Sequence, residues 1–284
     1  MFKLENNNFS IAILQTGAEL RSVMNKYTGY EYIWQADASV WNRSSPVLFP
    51  LVGKLKNDTY FFKGKEYHLP QHGFARNYDF ELLNHQENKA VFILKSNSST
   101  KENYPFDFEL KLSYTLTGNE LQLEYAVKNT GDQPMCFSLG AHPAFNLPEG
   151  LENYLLEFEK EERLPRHLLK AGLRTQELES VPIIGNRLAL KEEYFEEDAI
   201  VFKGMQSKEI SIINLQNKKL ISLEAEGFPY YGIWAKKPYP FLCLEPWHGI
   251  ADSQVATGEL TEKEGLRTLA SSEIFLSRIT FRFF

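Results

Sequence analysis

What most constrains this chain is a short apolar run, often alternating with polar residues, that recurs along its length and is closed each time by a turn. Phe9-Ser10-Ile11-Ala12-Ile13-Leu14 is followed by a break at Gly17. Tyr60-Phe61-Phe62 passes through Lys63-Gly64-Lys65 into Tyr67-His68-Leu69, which reads as a hairpin. Further runs lie at Phe80–Leu83, Ala90–Leu94, Phe108–Tyr114, Leu121–Val127, Glu209–Ile213 and Ile279–Phe283. Period-two alternation buries one face of a strand and wets the other. Strand after strand, with turns about every ten residues, predicts an all-β sandwich or barrel-like fold. Helical patterns are scarce; the stretch around Leu164 to Ala171 is expected to hold a turn or two. No Gly/Ser-rich or Pro-rich linker interrupts the pattern, so residues 1–284 are read as a single domain.

The 21 Phe, 14 Tyr and 4 Trp suit strand packing and sugar stacking equally. Net charge is −6 with the basic residues scattered, which argues against a nucleic-acid partner. Cys136 and Cys243 sit in apolar strand-like runs and are expected to be buried free thiols. No Cys/His cluster predicts a metal site, and no cofactor is implied. The first residues lack an apolar leader segment, and no later run is long enough to span a bilayer as a helix. A cytoplasmic protein without a membrane partner is the expectation; the oligomeric state stays open, a homodimer included.

Four stretches carry polar residues that a plain strand does not need: Trp41–Pro50 with Val52-Gly53-Lys54, Gln71–Asn77, Gly140–Leu147 and Cys243–Gly249. Each sets His, Arg or Glu beside Gly or Pro, where function collects at loop ends of a rigid β scaffold. His68, His85 and His167 have no such neighbours and read as ordinary surface or strand positions. Trp247 or Trp234 is a candidate to stack on the apolar face of a bound pyranose; Arg43 and Arg76 read equally well as structural ion-pair formers, and Trp247 as core packing.

In these stretches the chain resembles the aldose 1-epimerase, or galactose mutarotase-like, superfamily. His142-Pro143-Ala144-Phe145-Asn146-Leu147 is similar to that family's His-x-x-Phe-Asn-Leu motif, and His72-Gly73 to its earlier His-Gly signature. Phe241–Glu245 resembles its late Leu-Glu strand, and Leu269–Phe275 its C-terminal Leu-x-Pro-Gly-Glu segment, with Ser271-Ser272 in place of Pro-Gly. The resemblance implies a large antiparallel β-sandwich (the galactose mutarotase-like supersandwich) with a sugar cleft on one face. By the same resemblance His142 is the general acid, Glu273 the general base and His72 a contact to the sugar ring. Asp198 and Glu245 bind sugar hydroxyls. Trp247 stands where the galactose branch has Gln, and Asn57-Asp58 where it has Asn-Arg. Arg43 and Arg76 resemble arginines credited with phosphate recognition in the hexose-6-phosphate epimerase branch, and Lys54 is a third candidate cation.

Anomer interconversion needs two proton transfers and no redox step. A base takes the anomeric hydroxyl proton, an acid protonates the ring oxygen, and the ring opens, rotates and recloses. Well-placed groups of this kind contribute about 10²–10⁴-fold each. An aldose 1-epimerase acting on a hexose is the leading expectation, with a small-molecule sugar or sugar phosphate as partner. The alternatives are a hexose-6-phosphate 1-epimerase and a non-catalytic carbohydrate-binding protein. A glycoside hydrolase would have to use Glu245 with Glu273 as its carboxylate pair.

Overall fold

A computed structural model describes residues 1–284. Two large sheets dominate it, and every strand pairing within them is antiparallel. A nine-stranded sheet has Ile274–Phe283 at its centre, flanked by Lys219–Glu224 and Glu120–Asn129, with Phe108–Thr117 next beyond the latter. An eight-stranded sheet runs from Leu173–Ser180 through Pro165–Lys170, Ile200–Lys203, Tyr230–Trp234 and Phe241–His248 to Leu139–Ala141 and Val47–Leu48. The short Ala144–Asn146 strand also pairs with Phe241–His248.

The alternation seen in the sequence explains why the sheets face each other. In Phe108–Thr117 and Glu120–Asn129, buried and half-buried residues alternate almost without exception. Leu110, Leu112, Leu121 and Leu123 join a core of 66 buried residues that also takes Leu242 and Leu244 from the opposite sheet. The Phe241–His248 strand is buried along its whole length. Its even-numbered Leu242 and Leu244 belong to the inter-sheet core, while Phe241, Cys243 and Trp247 belong to smaller apolar clusters on the far face. A period of two thus sends two unlike sets of residues to the two faces of one strand. The outer set builds the site.

The Thr59–Phe62 and Lys65–His68 hairpin forms as expected, with Lys63 and Gly64 both at positive φ in its two-residue turn. The expected helical turn between Leu164 and Ala171 does not form; Pro165–Lys170 is a strand. Arg166-His167-Leu168-Leu169 is half-buried throughout, so pairing on both edges wins over a weak helical pattern. The chain's α-helix, Ser98–Asn103, is held instead by a capping box in which Asn97 and Thr100 satisfy each other's backbone N–H groups. Cys136 and Cys243 are free and buried, as expected. No helix is long and apolar enough to cross a membrane.

Phe281, fully buried, links the layers. It stacks parallel to Phe283 at 6.3 Å and meets Phe145 edge-on at 6.1 Å, from the strand that follows His142. Phe281→Ala is expected to lower unfolding free energy by about 3–5 kcal/mol, read as a lower midpoint in urea.

Candidate active site

A cleft of about 740 Å³ opens on the outer face of the eight-stranded sheet. A smaller cavity of about 260 Å³ lies behind the Asp252–Glu264 segment and holds none of the expected site residues. Of those residues, His72, Arg76, His142, Asp198, Glu245 and Trp247 line the large cleft.

His142 and Glu245 form its chemical centre. Nε2 of His142 lies 3.2 Å from Oε2 of Glu245, and the two residues are 7% and 1% exposed. Trp41 stacks on the imidazole at 4.8 Å and Trp234 meets it edge-on at 5.6 Å, fixing its plane. Burial and the nearby Arg76 charge press the His142 pKa down to about 3. Burial, then the Asp198 carboxylate, push Glu245 well above the usual carboxylate range. The Trp247 indole N–H is near enough to favour the Glu245 carboxylate, yet it makes no hydrogen bond of ordinary geometry. With one pKa high and the other low, the pair holds a single proton over a wide pH range and titrates as a unit.

His72 enters on a loop where both His72 and Gly73 have positive φ. A side chain at Gly73 would stand 2.4 Å from the Phe49 carbonyl oxygen, so this close turn requires glycine. The Gly53 N–H donates to Nδ1 of His72 at 3.1 Å. With Nδ1 accepting, neutral His72 carries its proton on Nε2. Burial, His142 and Arg76 hold its pKa well below 6.5, so it stays neutral and presents a donor.

Arg76 is anchored by Nη2 donating to the Gln71 carbonyl at 2.7 Å, while its buried Nε has no partner. Burial and neighbouring Arg43 bring its pKa down to about 10, which leaves it charged at neutral pH. Asp198 is partly buried, accepts from the Ala199 N–H at 2.8 Å, and has its pKa raised by burial.

Three expected site residues lie outside the cleft lining. Arg43 lies behind the cleft wall: Nη1 donates to the Arg76 carbonyl at 3.0 Å, and Glu19, itself buried, lies 3.6 Å away. It steadies the Arg76 loop. Lys54 also lies outside the lining, with its aliphatic stem packed toward Gly172. Glu273 is exposed in the turn before Ile274–Phe283, a strand of the nine-stranded sheet, which does not carry the cleft. Its Oε2 accepts from the Ala270 N–H at 2.8 Å, a local turn contact. Glu273 therefore lies away from His142, and the carboxylate beside that imidazole is Glu245.

Sequence reasoning assigned no role to Trp41, although it opens the first polar stretch, or to the charged lips of the cleft. Glu192, Glu196, Glu197, Lys236 and Lys237 line the cleft and are all exposed. Their charges read like any solvated loop. His248, in the fourth stretch, is buried on the core side, where it stacks on Phe228 at 4.0 Å and its Nε2 meets Ser277 Oγ at 2.7 Å.

The buried histidines make stability depend on pH. His72 and His248 have folded pKa values depressed by burial, His248 to about 3. Their contribution is complete above about 6.5 and is lost as pH falls below it, because the unfolded chain takes up protons the folded chain refuses. Between about 4.5 and 6.5 the His142–Glu245 unit holds one proton folded and about one unfolded, so it adds little slope there. Unfolding free energy is expected to fall by up to about 1.4 kcal/mol per pH unit for each of His72 and His248. Urea melts at pH 7, 6 and 5 should show this slope, roughly halved in His72→Gln.

Residues 1–266 match the family model described as aldose 1-epimerase. The plasmid-encoded protein LacX of Lactococcus lactis subsp. lactis is 33% identical over 266 residues, covering 88% of each chain. A galactose mutarotase related enzyme of Lactobacillus acidophilus is 36% identical with a TM-score of 0.94, over 100% of this chain and 97% of that one. A galactose mutarotase-like protein of Lactobacillus casei is 32% identical with a TM-score of 0.94, over 100% of both. The antiparallel sandwich is therefore the galactose mutarotase-like fold, and the chain belongs to the aldose 1-epimerase family.

Proposed function

We propose that the protein interconverts the α and β anomers of a free hexose by acid–base ring opening and closure, with His142 and Glu245 exchanging the protons. The observation that carries this reading is the buried His142–Glu245 contact in the cleft, 3.2 Å between Nε2 and Oε2. Sugar hydroxyls that donate to Glu245 stabilise its carboxylate and move the shared proton to His142. Glu245 then takes the anomeric hydroxyl proton while His142 protonates the ring oxygen. The C1–O5 bond breaks and the anomeric carbon becomes an aldehyde. After rotation about C1–C2, the ring-oxygen hydroxyl returns its proton to His142, and Glu245 protonates the new anomeric oxygen. No net proton is consumed.

The other groups suit orientation. His72 Nε2–H and Arg76 donate to sugar oxygens, Asp198 accepts from a hydroxyl, and the aromatic walls exclude water. A neutral hexose is favoured because Arg43 and Lys54, two of the three cations that argued for phosphate, lie outside the cleft. Five acidic and three basic side chains line it. A hexose 6-phosphate is the second reading, supported by Lys236 and Lys237 on the lip with no ion-pair partner within 4 Å.

Polarimetry on a panel of free and phosphorylated hexoses tests this directly. Glu245→Gln and His142→Ala are each expected to lower kcat by about 10²–10⁴-fold, with Glu273→Gln close to wild type. Full activity in Glu245→Gln would overturn the reading. Because the pair's two pKa values are spread apart, its one-proton form prevails from about 3 upward. A free histidine acting alone would lose its proton near 6.5. The kcat/KM profile is therefore expected to show no inflection near pH 6.5.

A further inference from the structure

Trp247 lies on the cleft face of the Phe241–His248 strand, and its two neighbouring strands each place a glycine against its indole. Gly140 pairs directly with Trp247 in the sheet, and Gly232 pairs with Glu245 on the other side. A β-carbon at Gly140 would stand 2.7 Å from Trp247 Cδ1. One at Gly232 would stand 2.5 Å from both Cζ2 and Cη2. Contacts this short cannot exist, so any side chain at either position must lift or tilt the ring. Neither glycine has positive φ, so the backbone does not call for glycine at either place. Glycine inside a strand weakens it unless something must approach closely. Here the thing that approaches is the indole.

Opposite ends of the ring rest over opposite neighbouring strands, so the indole lies across the sheet; it lines the cleft and is 5% exposed. Leu48, Val52, Val201, Tyr230 and Ile250 hold it in a small apolar cluster separate from the main core. Its Nε1–H is buried and has no partner, although it points near Glu245. A buried donor left open is costly, and the group that completes it must come from the cleft.

We infer that Gly140 and Gly232 are positioning residues that seat Trp247 as a flat floor for the substrate: the indole face takes the C–H-rich face of a pyranose, and Nε1–H donates to a sugar oxygen beside Glu245. The inference rests on the sugar reading of this cleft. It assigns the binding of the ring's apolar face to Trp247 rather than to Trp41 or Trp234, which are occupied in holding His142.

A double-mutant cycle tests it with two independent readouts. In thermal melts, Gly232→Ala and Gly140→Ala are each expected to lower Tm by about 3 °C or more in the Trp247 background. The same substitutions should have little effect in Trp247→Ala, where no ring needs seating. In steady-state polarimetry, each glycine substitution is expected to raise KM about 3- to 10-fold with kcat changed less. That rise should disappear in the Trp247→Ala background. Trp247→Phe keeps a ring face and loses the N–H, so its KM should fall between those of wild type and Trp247→Ala. Equal Tm losses in both backgrounds would overturn the seating. Coupled Tm losses with unchanged KM would overturn the floor while leaving the catalytic reading intact. If the wild-type protein accelerates no sugar's anomer exchange, the catalytic reading fails. Isothermal titration with the same sugars then decides the floor by the same cycle in Kd, and absence of sugar binding overturns it.

Discussion

The contact between His142 and Glu245 is the constraint around which the cleft face is arranged. Two ionisable groups 3.2 Å apart and almost wholly buried cannot be tolerated as isolated charges, because removing either from water is expensive. They are tolerated as a pair sharing one proton. The surroundings serve that condition. Trp41 and Trp234 fix the imidazole from its face and its edge. Neutral His72 stands beside it with its tautomer set by the Gly53 N–H. Arg76 supplies charge from a loop whose carbonyl Arg43 secures from behind.

That pair sits where it does because the Phe241–His248 strand is buried on both faces. Its inner residues Leu242 and Leu244 lock into the inter-sheet core, and this holds Glu245 and Trp247 rigidly on the outer face. His142 comes from the junction between Leu139–Ala141 and Ala144–Asn146, both of which pair with the same strand. His142 and Glu245 therefore hang from one strand and its immediate hydrogen-bonded partners. A site built on paired strands holds its geometry more closely than one built on free loops.

Much of this was legible beforehand and some was not, for identifiable reasons. Alternation announced the strands of the nine-stranded sheet, since each wets one face. The His142 and His72 motifs marked two of the groups that meet in the cleft. Glu245 and Glu273 are both late glutamates near strands, and only tertiary distance tells which of them lies beside His142. A local signal did exist. Glu245 interrupts the run Phe241-Leu242-Cys243-Leu244 and so had to be buried with a partner, whereas Glu273 follows two serines in a solvent-facing turn. Arg43 and Lys54 carried no comparable signal. A guanidinium that binds a ligand and one that binds the neighbouring carbonyl are identical in sequence.

The charges around the pair also bear on how it works. Arg76 lies where it disfavours a proton on His142, and Asp198 lies where it favours one on Glu245. Both fields point the same way, toward a neutral imidazole beside a protonated carboxyl. On the proposed mechanism this bias keeps the proton on Glu245, the group that has to act as base. In that mechanism, sugar oxygens reverse the bias on binding. Acceptor oxygens placed on Arg76 weaken its field at His142, and hydroxyls donated to Asp198 and Glu245 stabilise negative charge there. The shared proton then crosses about one hydrogen-bond length to His142. In the proposed reaction, acid and base are thus created together by the sugar that uses them, and the two buried charges exist only while it is there to solvate them.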